Sequence, residues 1–252
     1  MSGVTHQPAR DHTVTGLTFR SFSSRRPGSP VFVLVHGIGM SHRYLTRLHE
    51  ELARDAEVHS IDLPGFGGLP KPRRSPDIAG MAGALGGVLD ELGVWRAVLI
   101  GHSMGAQWVV ELGVQRPDLA EAVVAIGPVT DDRRRNALVQ AWCLAHDSAL
   151  EPPRPNLIVF TDYVRCGPIW YARQARHMLR YAIEERVELL TAPLLVIRGR
   201  NDPIARQGWS ERLRARAVRG SLAVVPGHRH VVQFTAAQRV ADLVRSFLAQ
   251  TG

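Results

Sequence analysis

Apolar positions along the chain follow two alternating rhythms. Short continuous runs rich in β-branched residues read as strands: "VFVLV" (31–35), "EVHSI" (57–61), "AVLIG" (97–101) and "EAVVAI" (121–126). The first of these is apolar at every position, as a strand covered on both faces must be. Between the runs, apolar residues recur at helical spacing over 42–54, 78–92 and Ala106 to Gln115, the last stopped by Arg116-Pro117. Upstream, "TVTGLTFRSF" (13–22) predicts an antiparallel strand or hairpin. Downstream the pattern resumes with "PLLVIRG" (193–199), a helix over 206–218, "SLAVV" (221–225) and a last helix from Ala236 to Leu248. Strands alternating with helices predict an α/β domain built on a mostly parallel, doubly wound sheet.

The alternation breaks between residues 128 and 190. That stretch is too long for a plain connection in a compact α/β unit, and it places Pro152, Pro153 and Pro155 between helical patterns. It predicts an inserted helical cap (128–190) on a core made of 1–127 and 191–252. Six of the chain's sixteen aromatic residues fall in it: Trp142, Phe160, Tyr163, Trp170, Tyr171 and Tyr181. Each one taken singly reads as the cap's own core. Together they predict an apolar, partly aromatic pocket beneath the cap, with Trp142, Tyr163, Trp170 and Tyr171 as the expected lining.

Composition narrows the partners. The chain has 252 residues, 45% hydrophobic and 21% charged, enough for a large core. Its formal net charge is +8 (31 basic minus 23 acidic), but the basic residues are spread over the whole length and all except Lys71 are arginine. Dispersal of this kind argues against a nucleic-acid partner. No apolar run approaches spanning length and the first residues lack an apolar leader core, so a soluble, cytoplasmic protein with no membrane partner is expected. Cys143 and Cys166 have no metal-ligand spacing and read as reduced thiols. Neither a phosphate-cradling glycine loop nor a ligand cluster is present, so no metal and no cofactor are expected.

The chemistry-bearing signal begins at Gly101-His102-Ser103-Met104-Gly105, which fits G-x-S-x-G at a strand-to-helix junction. Alone, the pentapeptide reads equally as a glycine-rich turn. A serine hydroxyl needs a base within hydrogen-bond reach and a third group to orient that base. Asp202, in "GRNDPI" just past the strand 193–198, stands where open α/β sheets place functional groups; Asp131 and Asp132, after "EAVVAI", compete for the same role. The loop "VVPGHRHVV" offers His228 and His230. Ser103 precedes Asp202 by 99 residues (202 minus 103), and Asp202 precedes His230 by 28 (230 minus 202), room for a helix, a strand and a short loop.

The order serine, acid, histidine and five motifs, "HGIG" (36–39), "DLPGFG" (62–67), "GHSMG" (101–105), "GRNDP" (199–203) and "PGHRH" (226–230), resemble the α/β-hydrolase fold superfamily, in its cap-bearing esterase-like branch, from about residue 14 to 249. The resemblance implies that fold, a Ser103, Asp202, His230 triad, and an oxyanion hole from the backbone N–H groups of Ile38 and Met104. The family's P-G-x-x-H pattern carries the base to His230. The chain departs from it at His228, where a small residue is usual, and at Thr235, where an acid often follows. His36, His102 and Asp62 are expected to hold loops. The implied reaction is hydrolysis of a carboxylic ester of a small, moderately apolar substrate through an acyl-enzyme. Two alternatives stay open: C–C bond hydrolysis of a diketone, whose enzymes usually carry tryptophan where this chain has Val231, and a small-molecule receptor of the same fold. Relatives with an aspartate nucleophile are excluded by Ser103. Arg165, Arg173, Arg176 and Arg229 could meet a substrate carboxylate, although solvated or ion-paired arginines are the commoner case.

Overall fold

In the computed structural model, which describes residues 5–133, 135 and 153–251, the apolar runs become strands of one nine-stranded sheet. They are β1 (Thr5–His6), β2 (Arg10–Val14), β3 (Leu17–Arg25), β4 (Val31–Val35), β5 (Glu57–Asp62), β6 (Ala97–His102), β7 (Ala120–Ile126), β8 (Leu194–Gly199) and β9 (Gly220–Val225). Their order is β1-β3-β5-β4-β6-β7-β8-β9, with β2 paired to β3. From β5 to β9 every pairing is parallel; β1, β2 and β3 add an antiparallel edge. The predicted 13–22 segment is the β2–β3 hairpin, turning at Thr15 and Gly16, both at positive φ.

Register explains why the central runs are continuously apolar. Val33, Leu99, Val123 and Leu194 are neighbours across β4, β6, β7 and β8, and all belong to the core on one face. The next residues along, Leu34, Ile100, Val124 and Leu195, line the core on the other face. Each strand therefore serves two cores, and a polar residue at either parity would be desolvated.

Helices cover both faces. α2 (Ile78–Leu92) and α3 (Gly105–Gln115) pack on the first; α1 (Thr46–Leu52) and α9 (Ala237–Thr251) pack on the second. Asp77 caps α2 by accepting from the Gly80 amide at 2.8 Å, and Gly93 ends it in the left-handed region. One expected helix is divided: 42–54 is a 3-10 turn (His42–Tyr44) followed by α1. The last helix, expected over 236–248, runs unbroken as α9 and is preceded by the short α8 (Val232–Thr235). α7 (Gln207–Arg216) joins β8 to β9.

Between β7 and β8 lie α4 (Pro153–Cys166), α5 (Pro168–Arg180) and α6 (Ile183–Arg186). α5 buries Trp170, Gln174 and Met178, spaced four apart on one face. Trp142 and Cys143 lie outside the described residues. No helix among the described residues is long and apolar enough to cross a membrane.

Candidate active site

The carboxyl ends of β4, β6 and β7 meet at Ser103. It sits between β6 and α3 with φ 57°, in the left-handed region that costs a non-glycine residue about 1–2 kcal/mol. Its amide donates to the Ile126 carbonyl at the end of β7, at 2.8 Å. The flanking glycines are required by contact distance. A Cβ on Gly101 would lie 2.2 Å from the Gly105 carbonyl oxygen, and one on Gly105 would lie 2.4 Å from the Val35 carbonyl oxygen. No side chain fits at either position, so the corner needs both glycines.

The loop after β4 lies against this corner: a Cβ on Gly37 would approach the Ser103 Cβ to 3.0 Å. Ile38 and Met104 are both buried, and neither backbone N–H has a hydrogen-bond acceptor among the described residues. His36 fixes the loop. Its Nε2 accepts from the Leu63 amide at 3.1 Å, so its Nδ1 donates to the Gly37 carbonyl at 2.7 Å. Full burial lowers its pKa, consistent with a neutral ring holding a loop.

Asp202 and His230 meet as a buried pair. Asp202 Oδ2 accepts from His230 Nδ1 at 2.9 Å, while Oδ1 accepts from the amides of Ile204 (2.7 Å) and Ala205 (3.0 Å). Burial by itself would raise the aspartate's pKa; the facing imidazole and the donated hydrogen bonds outweigh it and hold the carboxyl below its usual range. The imidazole lies over Gly127 at φ +54°, where a Cβ would come within 3.0 Å of the ring. With Nδ1 committed to Asp202, Nε2 is the nitrogen at which His230 would exchange a proton.

The competing residues are engaged elsewhere. His228 Nδ1 is hydrogen-bonded to Thr235 Oγ1 at 2.9 Å. Asp131 and Asp132 both hold Arg212, at 2.6 and 2.5 Å. His102 lies beside His230, with ring centroids 4.8 Å apart, and donates from Nε2 to the His230 carbonyl at 3.1 Å. Burial, then the neighbouring His230, pushes the His102 pKa down to about 3. It therefore stays neutral at ordinary pH and holds the backbone of the 226–230 loop. Asp62 accepts from the amide and Nδ1 of His42, whose ring stacks on Phe22 at 3.4 Å.

The expected pocket residues separate. Tyr163 and Tyr171 pack edge to face at 5.4 Å, and the Tyr163 ring lies so close to Gly39 that a Cβ there would stand 2.3 Å from it. Both tyrosines thus flank the loop that carries Ile38. Trp170 is nearly fully buried against Gly65 and Phe66, a core position on the loop after β5.

Three residues that local pattern does not single out tie these parts together. Arg198, buried on β8, donates to the carbonyls of Arg200, Asp202 and Ala205 and so pins the loop bearing Asp202. Asp162 on α4 accepts from Ser41 Oγ at 2.6 Å and Arg43 at 3.3 Å, anchoring the inserted helices to the segment after β4. Gln107, one turn after Ser103, donates from Nε2 to Thr130 Oγ1 and the Met178 carbonyl, both at 3.0 Å. A buried aspartate inside the apolar run "LIVFTDYV" was the one legible sign among them. Among the described residues, no group of three acidic, histidine or cysteine side chains is placed to hold a metal ion.

The fold has counterparts in known proteins. An uncharacterized protein of Mycobacterium tuberculosis is 31% identical over 134 residues, 50% of this chain and 39% of that protein. The chain thus spans about two fifths of the length of the first curated relatives it matches. An sn-1-specific diacylglycerol lipase of Mus musculus is 26% identical over 252 residues, covering 87% of this chain and 81% of the lipase. A thermophilic esterase from Thermogutta terrifontis superposes with a TM-score of 0.82 at 19% identity, covering 97% and 99% of the two chains, a likeness of fold alone. The family model described as "Alpha/beta hydrolase family" matches residues 32–243, from the second residue of β4 into α9. Across that span, which takes in every strand from β4 to β9, the chain belongs to the alpha/beta hydrolase family.

Proposed function

We propose that the protein is a serine hydrolase that cleaves a carboxylic ester of a small, moderately apolar substrate through an acyl-enzyme. The observation that carries this reading is Ser103 in a left-handed corner against the Gly37 loop, with the buried Asp202–His230 pair packed against the adjoining His102 and over Gly127. His230, held in its tautomer by Asp202, takes the Ser103 proton as the hydroxyl attacks the ester carbonyl. The amides of Ile38 and Met104 receive the oxyanion, each contributing about 3 kcal/mol of transition-state stabilisation. His230 then protonates the leaving alcohol. In the second half-reaction it activates water, which releases the acid and restores Ser103.

Residues 128–190 act in this reading as a cap, with Tyr163 and Tyr171 bounding the acyl site near Gly39. The lipase relative and the esterase-like motifs support an ester over other bonds. The test is turnover of short p-nitrophenyl esters by the wild type and Ser103→Ala. A loss of at least about 10³-fold in kcat with an unchanged melting temperature is expected. Undiminished turnover would remove Ser103 from the mechanism.

A further inference from the structure

The inserted helices carry a second surface on the side opposite the one that faces the site. Seven large apolar side chains are exposed among the described residues, and four of them fall between 157 and 169: Leu157, Phe160, Val164 and Ile169, each at least 65% exposed. On α4 the first three recur at i, i+3 and i+7, one continuous stripe. The buried Asp162 and Cys166 lie off that stripe, toward the rest of the fold. A soluble protein gains nothing by leaving such a stripe in water, and clustering of this kind marks a contact surface.

Charge identifies what the surface meets. Ile169 opens the exposed face of α5, which continues through Arg173, Arg176 and Arg180, and α5 contains no acidic residue. None of these three arginines has a carboxylate partner among the described residues. Arg165 borders the apolar stripe on α4, its guanidinium 3.9 Å from Asp162, the one acid of that helix from 157 onward, which is itself buried on Ser41 and Arg43. An apolar stripe edged by arginines, three of them without a carboxylate partner among the described residues, complements a surface that is apolar within and anionic at its rim. A second copy of the chain does not complement it, because two such faces would bring like charges together. We infer that the outer face of α4 and α5 docks peripherally on an anionic lipid surface, with Leu157, Phe160, Val164 and Ile169 entering the interface and Arg173 and Arg176 meeting lipid phosphates. No spanning segment is needed for this, so the lack of one in the sequence says nothing against it. The docking is independent of the proposed hydrolase chemistry: Ser103→Ala should bind as the wild type does, so either idea can fail alone.

The experiment is co-sedimentation of the full chain with vesicles of phosphatidylcholine alone or mixed equally with phosphatidylglycerol. The wild type should bind the mixed vesicles, with affinity falling as salt rises, and bind phosphatidylcholine weakly. Arg173→Glu with Arg176→Glu should lose at least about 100-fold, since each charge near an anionic surface is worth about fivefold. Leu157→Ser with Phe160→Ser should lose about tenfold or more. The control pair Arg54→Glu with Arg96→Glu makes the same change in net charge at the opposite ends of the strands, and should lose far less. Melting temperatures establish that each variant is folded. The inference is overturned by absent wild-type binding, by equal losses in the control pair, by binding indifferent to the apolar pair, which would mean attraction to any polyanion, or by sedimentation showing that this face joins two copies of the chain.

Discussion

Replacing Asp202 by asparagine separates its two jobs. Oδ1 accepts from the amides of Ile204 and Ala205, and an asparagine carbonyl oxygen can do the same. Oδ2 accepts from His230 Nδ1 at 2.9 Å, and there the asparagine presents an N–H₂. The imidazole must then turn Nδ1 into an acceptor and place its proton on Nε2, the nitrogen that should take the serine proton. Loss of the correct tautomer in a serine triad lowers kcat about 10⁴-fold, about 5.5 kcal/mol of barrier. The stability cost is smaller: one charge-assisted hydrogen bond, about 1.5–3 kcal/mol, or roughly 5 °C for a domain of this size. The assay pairs steady-state ester hydrolysis with thermal unfolding, and Asp131→Asn and Asp132→Asn serve as comparisons, since both acids hold Arg212, Asp131 also accepting from the Arg133 amide, and neither meets His230 among the described residues. A folded Asp202→Asn enzyme within about tenfold of wild type, or an equal loss in either comparison, would refute the assignment of the acid.

Gly101→Ala would drive a Cβ to 2.2 Å from the Gly105 carbonyl oxygen, and should cost at least about 3 kcal/mol in denaturant unfolding or abolish soluble expression. His230→Ala should lose at least about 10³-fold in kcat while His228→Ala, which breaks the side-chain contact to Thr235, stays within about threefold; the reverse pattern would exchange their roles. Stability should fall in acid. Burial lowers His49 to about 4 and His102 to about 3, so the unfolded chain binds protons near pH 6.5 that the folded chain refuses. Stability from these two groups is complete above about pH 6.5 and is lost as pH falls toward 4, at up to about 2.7 kcal/mol per pH unit. Equal melting temperatures at pH 7.5 and 5 would contradict it.

Local pattern carried the sheet because strands buried on both faces have no freedom to be polar. It also carried the serine corner, because the glycines that permit it adjoin the serine in the chain. Chain order then placed an acid and a histidine loop after successive strands. Which acid and which histidine meet was open at that level: "DD" and "NDP" both follow strands, and "HRH" holds two imidazoles two residues apart. The tertiary structure decides between them through partners remote in sequence. Arg212 draws off Asp131 and Asp132, Thr235 engages His228, and Arg198 fixes the loop that aims Asp202 at His230. The division has one cause. Hydrophobic periodicity records which face of an element is covered, and a sequence holds that directly. A directional hydrogen bond depends on where two side chains from distant segments come to rest, and only the packed fold sets those positions.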